Sequence, residues 1–172
     1  MTKHFKIITD PNLALEIADK ALSKVYTKNN NIALFKDINP EYIKKFSYNV
    51  ATNAKGFEDY HIVGFYDDDE LVGAMLFSEG APWYNPNCVV FNEEFTVSFK
   101  EGSGIARRVA DFLKKCLMNG LCTFIQTGSI NDWCAPILYN TYTKLGFHTY
   151  NQYYLSKKDI LEWASSAKLQ NP

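Results

Sequence analysis

The four cysteines, Cys88, Cys116, Cys122 and Cys134, contain no CxxC pair, and the three histidines do not stand beside them at metal-ligand spacing. No metal is therefore expected, and the thiols are read as reduced. No run of about 18 apolar residues occurs, and the N-terminus lacks the apolar core of a signal peptide, so neither a membrane span nor a secretory leader is expected and the chain reads as cytoplasmic. Excess charge of either sign is also missing. With 18 Lys and Arg against 19 Asp and Glu the net charge is −1, so there is no overall basic field and a general nucleic-acid binder is disfavoured. Repeats, linkers and low-complexity stretches are absent as well, which leaves one domain over 1–172.

What is present is core material: 47% apolar residues, with 11 Tyr and 12 Phe. His4 to Thr9 reads as a first strand. Asp10-Pro11 starts a helix whose stripe is Leu15, Ala18, Leu22 and Val25, and Asn39-Pro40-Glu41 starts a second carrying Tyr42, Ile43, Phe46 and Val50. His61 to Tyr66 and Leu71 to Phe77 flank the acidic turn Asp67 to Glu70 as a hairpin, and Ser78 to Asn87, with Trp83-Tyr84, reads as a loop. Cys88 to Phe99 is a long strand. A helix follows with Ile105, Val109, Phe112, Leu113, Cys116 and Leu117 on one face, stopped at Asn119-Gly120; Cys122 to Thr127 is the next strand. Pro136 sits in the first turn of a helix ending at Gly146. Phe147 to Leu155 is a last strand and Asp159 to Lys168 a last helix. This order predicts an α/β fold, a mixed sheet with helices on both faces.

The segment from Phe95 to Arg108 reads as strand, glycine turn, then helix. Gly102 and Gly104 let consecutive amides point inward, and a helix N-terminus adds about half a positive charge, so a pyrophosphate is held there without lysine. Arg107 and Arg108 stand beside it. A plain strand-to-helix turn uses the same residues. No Gly-x-x-x-x-Gly-Lys-Ser/Thr run exists, and the turn lies too late, behind a hairpin, for a dinucleotide fingerprint. A nucleotide-binding α/β protein is the weaker alternative.

Glu101-Gly102-Ser103-Gly104-Ile105-Ala106 resembles the acetyl-CoA pyrophosphate loop of the GNAT superfamily, Arg/Gln-x-x-Gly-x-Gly/Ala. Downstream, Tyr142-Thr143-Lys144-Leu145-Gly146-Phe147 is similar to that family's Tyr-x-x-Leu-Gly-Phe. The resemblance covers roughly residues 60 to 155 and implies a GNAT-like fold and an N-acetyltransferase. Its co-substrate is acetyl-CoA and its acceptor an amine of a small molecule or protein; a homodimer is compatible with it. It also admits a catalytically silent module that binds acyl-CoA or a protein. It assigns Gly102, Ser103, Gly104, Ile105, Ala106 and Arg107 to the cofactor, with the main chain of Phe95 and Val97 pairing with pantetheine. Glu101 occupies the family's Arg/Gln position, and its charge calls for a side chain turned to solvent or paired with Lys100 or Arg107. Ala135 stands where the family often has a pantetheine-binding asparagine; Asn131 is the substitute. Tyr142 matches the tyrosine that protonates the departing sulfur, a role suited to a phenol of pKa about 10, although core packing alone accounts for an aromatic there.

Val89, Phe91, Phe95, Val97 and Phe99 alternate on one face of the long strand, and Glu93 is the sole polar member of the series. Burial would raise its carboxyl toward neutrality, which suits a general base. The alternative is a one-residue bulge that takes Glu93 to solvent beside Glu94. The acceptor is expected near the first helices and the Trp83-Tyr84 loop.

Overall fold

The computed structural model describes residues 2–28, 38–82, 85–127 and 135–147. The expected last strand and last helix, Asn131, and the Trp83-Tyr84 pair lie outside them. The elements in chain order are β1 (Lys3–Ile7), α1 (Pro11–Lys28), α2 (Pro40–Ala51), β2 (Tyr60–Asp67), β3 (Glu70–Gly80), β4 (Val90–Ser98), α3 (Ile105–Met118), β5 (Phe124–Gln126) and α4 (Ala135–Lys144). The strands form one sheet in the order β1-β2-β3-β4-β5. Neighbours are antiparallel except β4 and β5, which are parallel, so the sheet is mixed as expected.

Both helix-start signals form. The Asp10 carboxylate accepts from the Asn12 N–H at 2.9 Å, and Asn39 Oδ1 accepts from the Tyr42 N–H at 3.1 Å with Pro40 in the first turn of α2. The buried stripe of α1 differs from the expected one. Ala14, Ile17, Ala18, Ala21, Leu22 and Val25 are buried while Leu15 is half-exposed. Ala18, Leu22 and Val25 are as expected, and Ala14 and Ala21 are added, small side chains that a closely packed helix can place against a sheet.

Two apolar clusters hold the sheet between helix layers. On one face, Ile17, Ala21 and Val50 of α1 and α2 meet Ile62, Ala74 and Val97. On the other, Val109, Phe112, Leu113 and Cys116 of α3 meet Phe65, Met75, Phe77 and Phe91. Each fully buried Val, Leu or Met contributes roughly 1.5–3 kcal/mol, against about 0–1 for exposed ion pairs such as Lys20–Glu16, so these layers decide the architecture. Cys88, Cys116 and Cys122 are free thiols, and burial pushes Cys116 and Cys122 above the ordinary thiol range.

Gly73 of β3 sets how closely α3 approaches the sheet. A Cβ there would lie 2.5 Å from Ile105 Cδ1 and 2.8 Å from the Val97 carbonyl oxygen, and the latter belongs to a paired strand that cannot yield. Gly73→Ala is expected to destabilise the fold by about 1–3 kcal/mol, the range of core overpacking, in urea denaturation followed by circular dichroism. An unchanged midpoint would mean that α3 has room to move.

Candidate active site

β4 ends where the amides of Phe99 and Lys100 both donate to the Val72 carbonyl, at 2.9 and 3.3 Å. The turn beyond it takes left-handed backbone at Gly102 (φ 70°) and at Gly104 (φ 68°), which is the N-cap of α3. An N-cap normally takes extended backbone and offers a side-chain acceptor to the first amides. Gly104 does neither, no acid stands in the first turn, and a Cβ on Gly104 would meet nothing within 4 Å. The first intrahelical bond at this end runs from Arg108 N–H to the Gly104 carbonyl at 3.1 Å. The amides of Ile105, Ala106 and Arg107 therefore precede the helical ladder and have no acceptor within it. Open space, inward amides and the positive end of a helix dipole together make an anion site.

The side chains around this turn have distinct tasks. Ser98 Oγ donates to the Lys100 carbonyl at 2.7 Å, so in the 3.0 Å contact between Ser98 and Ser103 the buried Ser103 hydroxyl is the donor, which pins the turn from below. Ile105 packs its side chain toward the core and offers only its main chain to a ligand. Arg107 is exposed, with a long contact of 3.9 Å to Asp111. Arg108, expected beside the anion, points the other way: it binds the buried Asp67 carboxylate at 3.0 Å and the carbonyls of His4 and Tyr66 at 3.1 and 2.6 Å. Glu101 is exposed, and Lys100 pairs with Glu70 at 2.6 Å, so the acidic residue turns to solvent.

A bulge divides β4. Leu76 faces Phe95 and the next pair is Phe77 with Glu93, so Glu94 has no partner across the ladder. The inserted residue shifts the alternation. Phe91 joins the cluster under α3, whereas Phe95, Val97 and Phe99 turn to the α1–α2 face. The single apolar face expected from Val89 to Phe99 is thus two half-faces. The residue that follows Glu93 on its side is Thr96, whose hydroxyl donates to Glu93 Oε1 at 2.5 Å. Glu94 is the one carried outward, exposed and bonded to the Ser78 hydroxyl at 2.5 Å.

The pairing of β4 with β5 ends just before this point, where β5 ends. The parallel pairing runs from Val90 with Phe124 to Asn92 with Gln126, and beyond it β4 keeps β3 as its ladder partner among the described residues. The Phe99 N–H bonded to Val72 fixes the ladder phase, so Phe95 and Val97 direct their main chain into β3. This corrects the expectation for those two residues. The main-chain groups turned away from β3 belong to Thr96 and Ser98, because the bulge reverses the alternation that the sequence alone implies.

Glu93, half-buried at the bulge, is the centre of a hydroxyl cluster. Besides Thr96, it accepts from Thr127 at the end of β5 and from Tyr142 of α4, whose hydroxyl lies 2.9 Å from Oε2. Tyr142 is buried, with its ring 5.2 Å from that of Phe147. The two side chains read from the sequence as base and acid are therefore in direct contact. Thr96 and Thr127 were not singled out by the sequence; no local signal marks them, because their meeting with Glu93 depends on the bulge and on the pairing of β4 with β5.

Under α1 and α2 lies a cavity of about 150 Å³. Ile17, Leu22, Ile43, Phe46, Phe95 and Val97 line it, and Ser47 is its polar contributor.

No protein-family model matches the chain, and no curated protein matches it by sequence. Solved structures match it in fold. A possible acetyltransferase from Clostridium difficile superposes with a TM-score of 0.67 at 11% identity, over 91% of this chain and 98% of that one. A ribosomal-protein-alanine N-acetyltransferase from Brucella melitensis gives 0.62 at 12%, over 91% and 99%. A predicted acetyltransferase from Clostridium acetobutylicum, solved with acetyl-CoA, gives 0.59 at 12%, over 91% and 96%. The fold is that of the GNAT acetyltransferases.

Proposed function

We propose that the protein is an N-acetyltransferase that moves the acetyl group of acetyl-CoA to a primary amine, of a small molecule or a protein, by direct attack. The observation that carries this reading is the Glu93–Tyr142 contact of 2.9 Å next to the end of the β4–β5 pairing, on the strand that leads to the uncapped N-terminus of α3. A diphosphate fits the turn: the amides of Ile105, Ala106 and Arg107 face open space beside Gly104, with the Arg107 guanidinium exposed nearby. The main chain of Thr96 and Ser98, turned away from β3, would pair with the pantetheine arm. Acetyl-CoA, when bound, supplies an acyl carbon activated as a thioester. Glu93 would take the proton of the attacking amine, and Tyr142 would give one to the departing sulfur. The cavity beneath the first helices suits an apolar part of the acceptor, since burying an ammonium among aliphatic side chains is unfavourable.

Two measurements test the reading. Coenzyme A release, followed with a thiol reagent over a panel of amines, is expected with at least one acceptor, and acetyl-CoA is expected to raise the melting temperature. Tyr142→Phe should keep that stabilisation while reducing kcat by about 10²–10³-fold. Full activity of the variant across the pH range would remove Tyr142 as the acid. Stabilisation without turnover on any amine would identify a binding module instead.

A further inference from the structure

We propose that Glu93 and Tyr142 act as one closed proton relay rather than as a separate base and acid, an inference that rests on the acetyltransferase reading above. In that chemistry the nitrogen must lose a proton as the C–N bond forms, and the sulfur must gain one as the C–S bond breaks. A base and an acid that are apart must each be reset by water after every turnover. Here they touch: the Tyr142 hydroxyl donates to Glu93 Oε2 at 2.9 Å. Tyr142 is 6% exposed, which limits resetting by bulk water.

The proton balance closes within the pair. The amine proton passes to the Glu93 carboxylate. Tyr142 passes its hydroxyl proton to the departing sulfur and is left as a phenolate. Glu93, now a carboxylic acid in contact with that oxygen, returns the proton, and both side chains end as they began. No co-reactant is needed beyond amine and thioester. The surroundings are built for such a carboxylate. Thr96 donates to it from the same strand and Thr127 from just beyond β5, and with Tyr142 they make three hydroxyl donors among the described residues. Those hydroxyls also hold the carboxylate when Tyr142 is removed, so the Tyr142→Phe variant tests chemistry rather than position.

Single-turnover rates of Glu93→Gln, Tyr142→Phe and the double variant decide the matter, with the acetyl-CoA melting shift as the control for folding and binding. Each single change is expected to slow transfer by about 10²–10³-fold, and the double variant to lie within about threefold of the slower single. In wild type the rate should fall along a curve, not a line, as deuterium replaces hydrogen in the solvent, because two protons move together. Losses that multiply in the double variant, or a straight dependence on deuterium, overturn the relay while leaving base and acid in place. If both single variants keep wild-type rates, the acetyltransferase roles themselves fall. In the free protein, a discrete proton resonance of the Tyr142 hydroxyl should vanish in Tyr142→Phe and shift in Glu93→Gln. The same position in wild type and Glu93→Gln would mean that no bond joins them.

Discussion

Gly104→Val is expected to abolish acetyl-CoA binding, with the melting shift lost and calorimetric affinity reduced at least about 100-fold, equivalent to about 2.7 kcal/mol. Gly104 sits at φ 68°. A left-handed residue with a Cβ costs roughly 1–2 kcal/mol, and a β-branched one is a genuine outlier, so the turn must rearrange. Rearrangement disperses the three amides that face the anion. Even a valine held in place would project into the open space beside them, since nothing lies within 4 Å of its Cβ position. For the same reason the variant should fold: there is no neighbour to clash with. Retained binding would show that the diphosphate lies elsewhere and that the turn serves only to join a strand to a helix.

Arg108→Ala is expected to lower the free energy of unfolding by about 3–5 kcal/mol, the range for breaking one side of a buried pair. The Arg108 and Asp67 side chains are 12% and 6% exposed, the guanidinium also satisfies the carbonyls of His4 and Tyr66, and it lies 5.7 Å from the centre of the Phe65 ring. Alanine strands a buried carboxylate and releases the contacts that tie α3 to β1 and β2. Arg107→Ala, one residue away and exposed, should change stability by no more than about 0.5 kcal/mol. Urea denaturation of the two variants makes the comparison directly. Equal, small effects would show that the Asp67 site is hydrated enough to tolerate an unpaired charge. Replacing Arg108 and Asp67 together by Met and Asn should recover much of the loss, because no charge is then left buried.

Two adjacent arginines with opposite fates illustrate where local patterns stop being informative. Nothing in Ala106-Arg107-Arg108-Val109 distinguishes them; the helix phase turns one to solvent and the other beneath β1 and β2. The helix starts at Asp10-Pro11 and Asn39-Pro40, the hairpin around Asp68-Asp69 and the glycine turn were legible because each is governed by backbone preferences and hydrogen bonds within a few residues. Glu93 was legible as an anomaly, an acid on an apolar strand, and Tyr142 through its motif.

Their meeting was not. The sequence by itself determined the element order over the described residues, the conformations at Gly102 and Gly104, and Glu93 as an anomalous acid, since these follow from residue type and short-range spacing; Tyr142 came from the family resemblance. Tertiary structure decided that Phe95 and Val97 face α1 and α2, that the main chain of Thr96 and Ser98 turns away from β3, and that Glu93 receives hydroxyls from residues 34 and 49 positions away. One unpaired residue, Glu94, makes that difference: strand alternation has a period of two, so a single insertion exchanges the faces of everything beyond it.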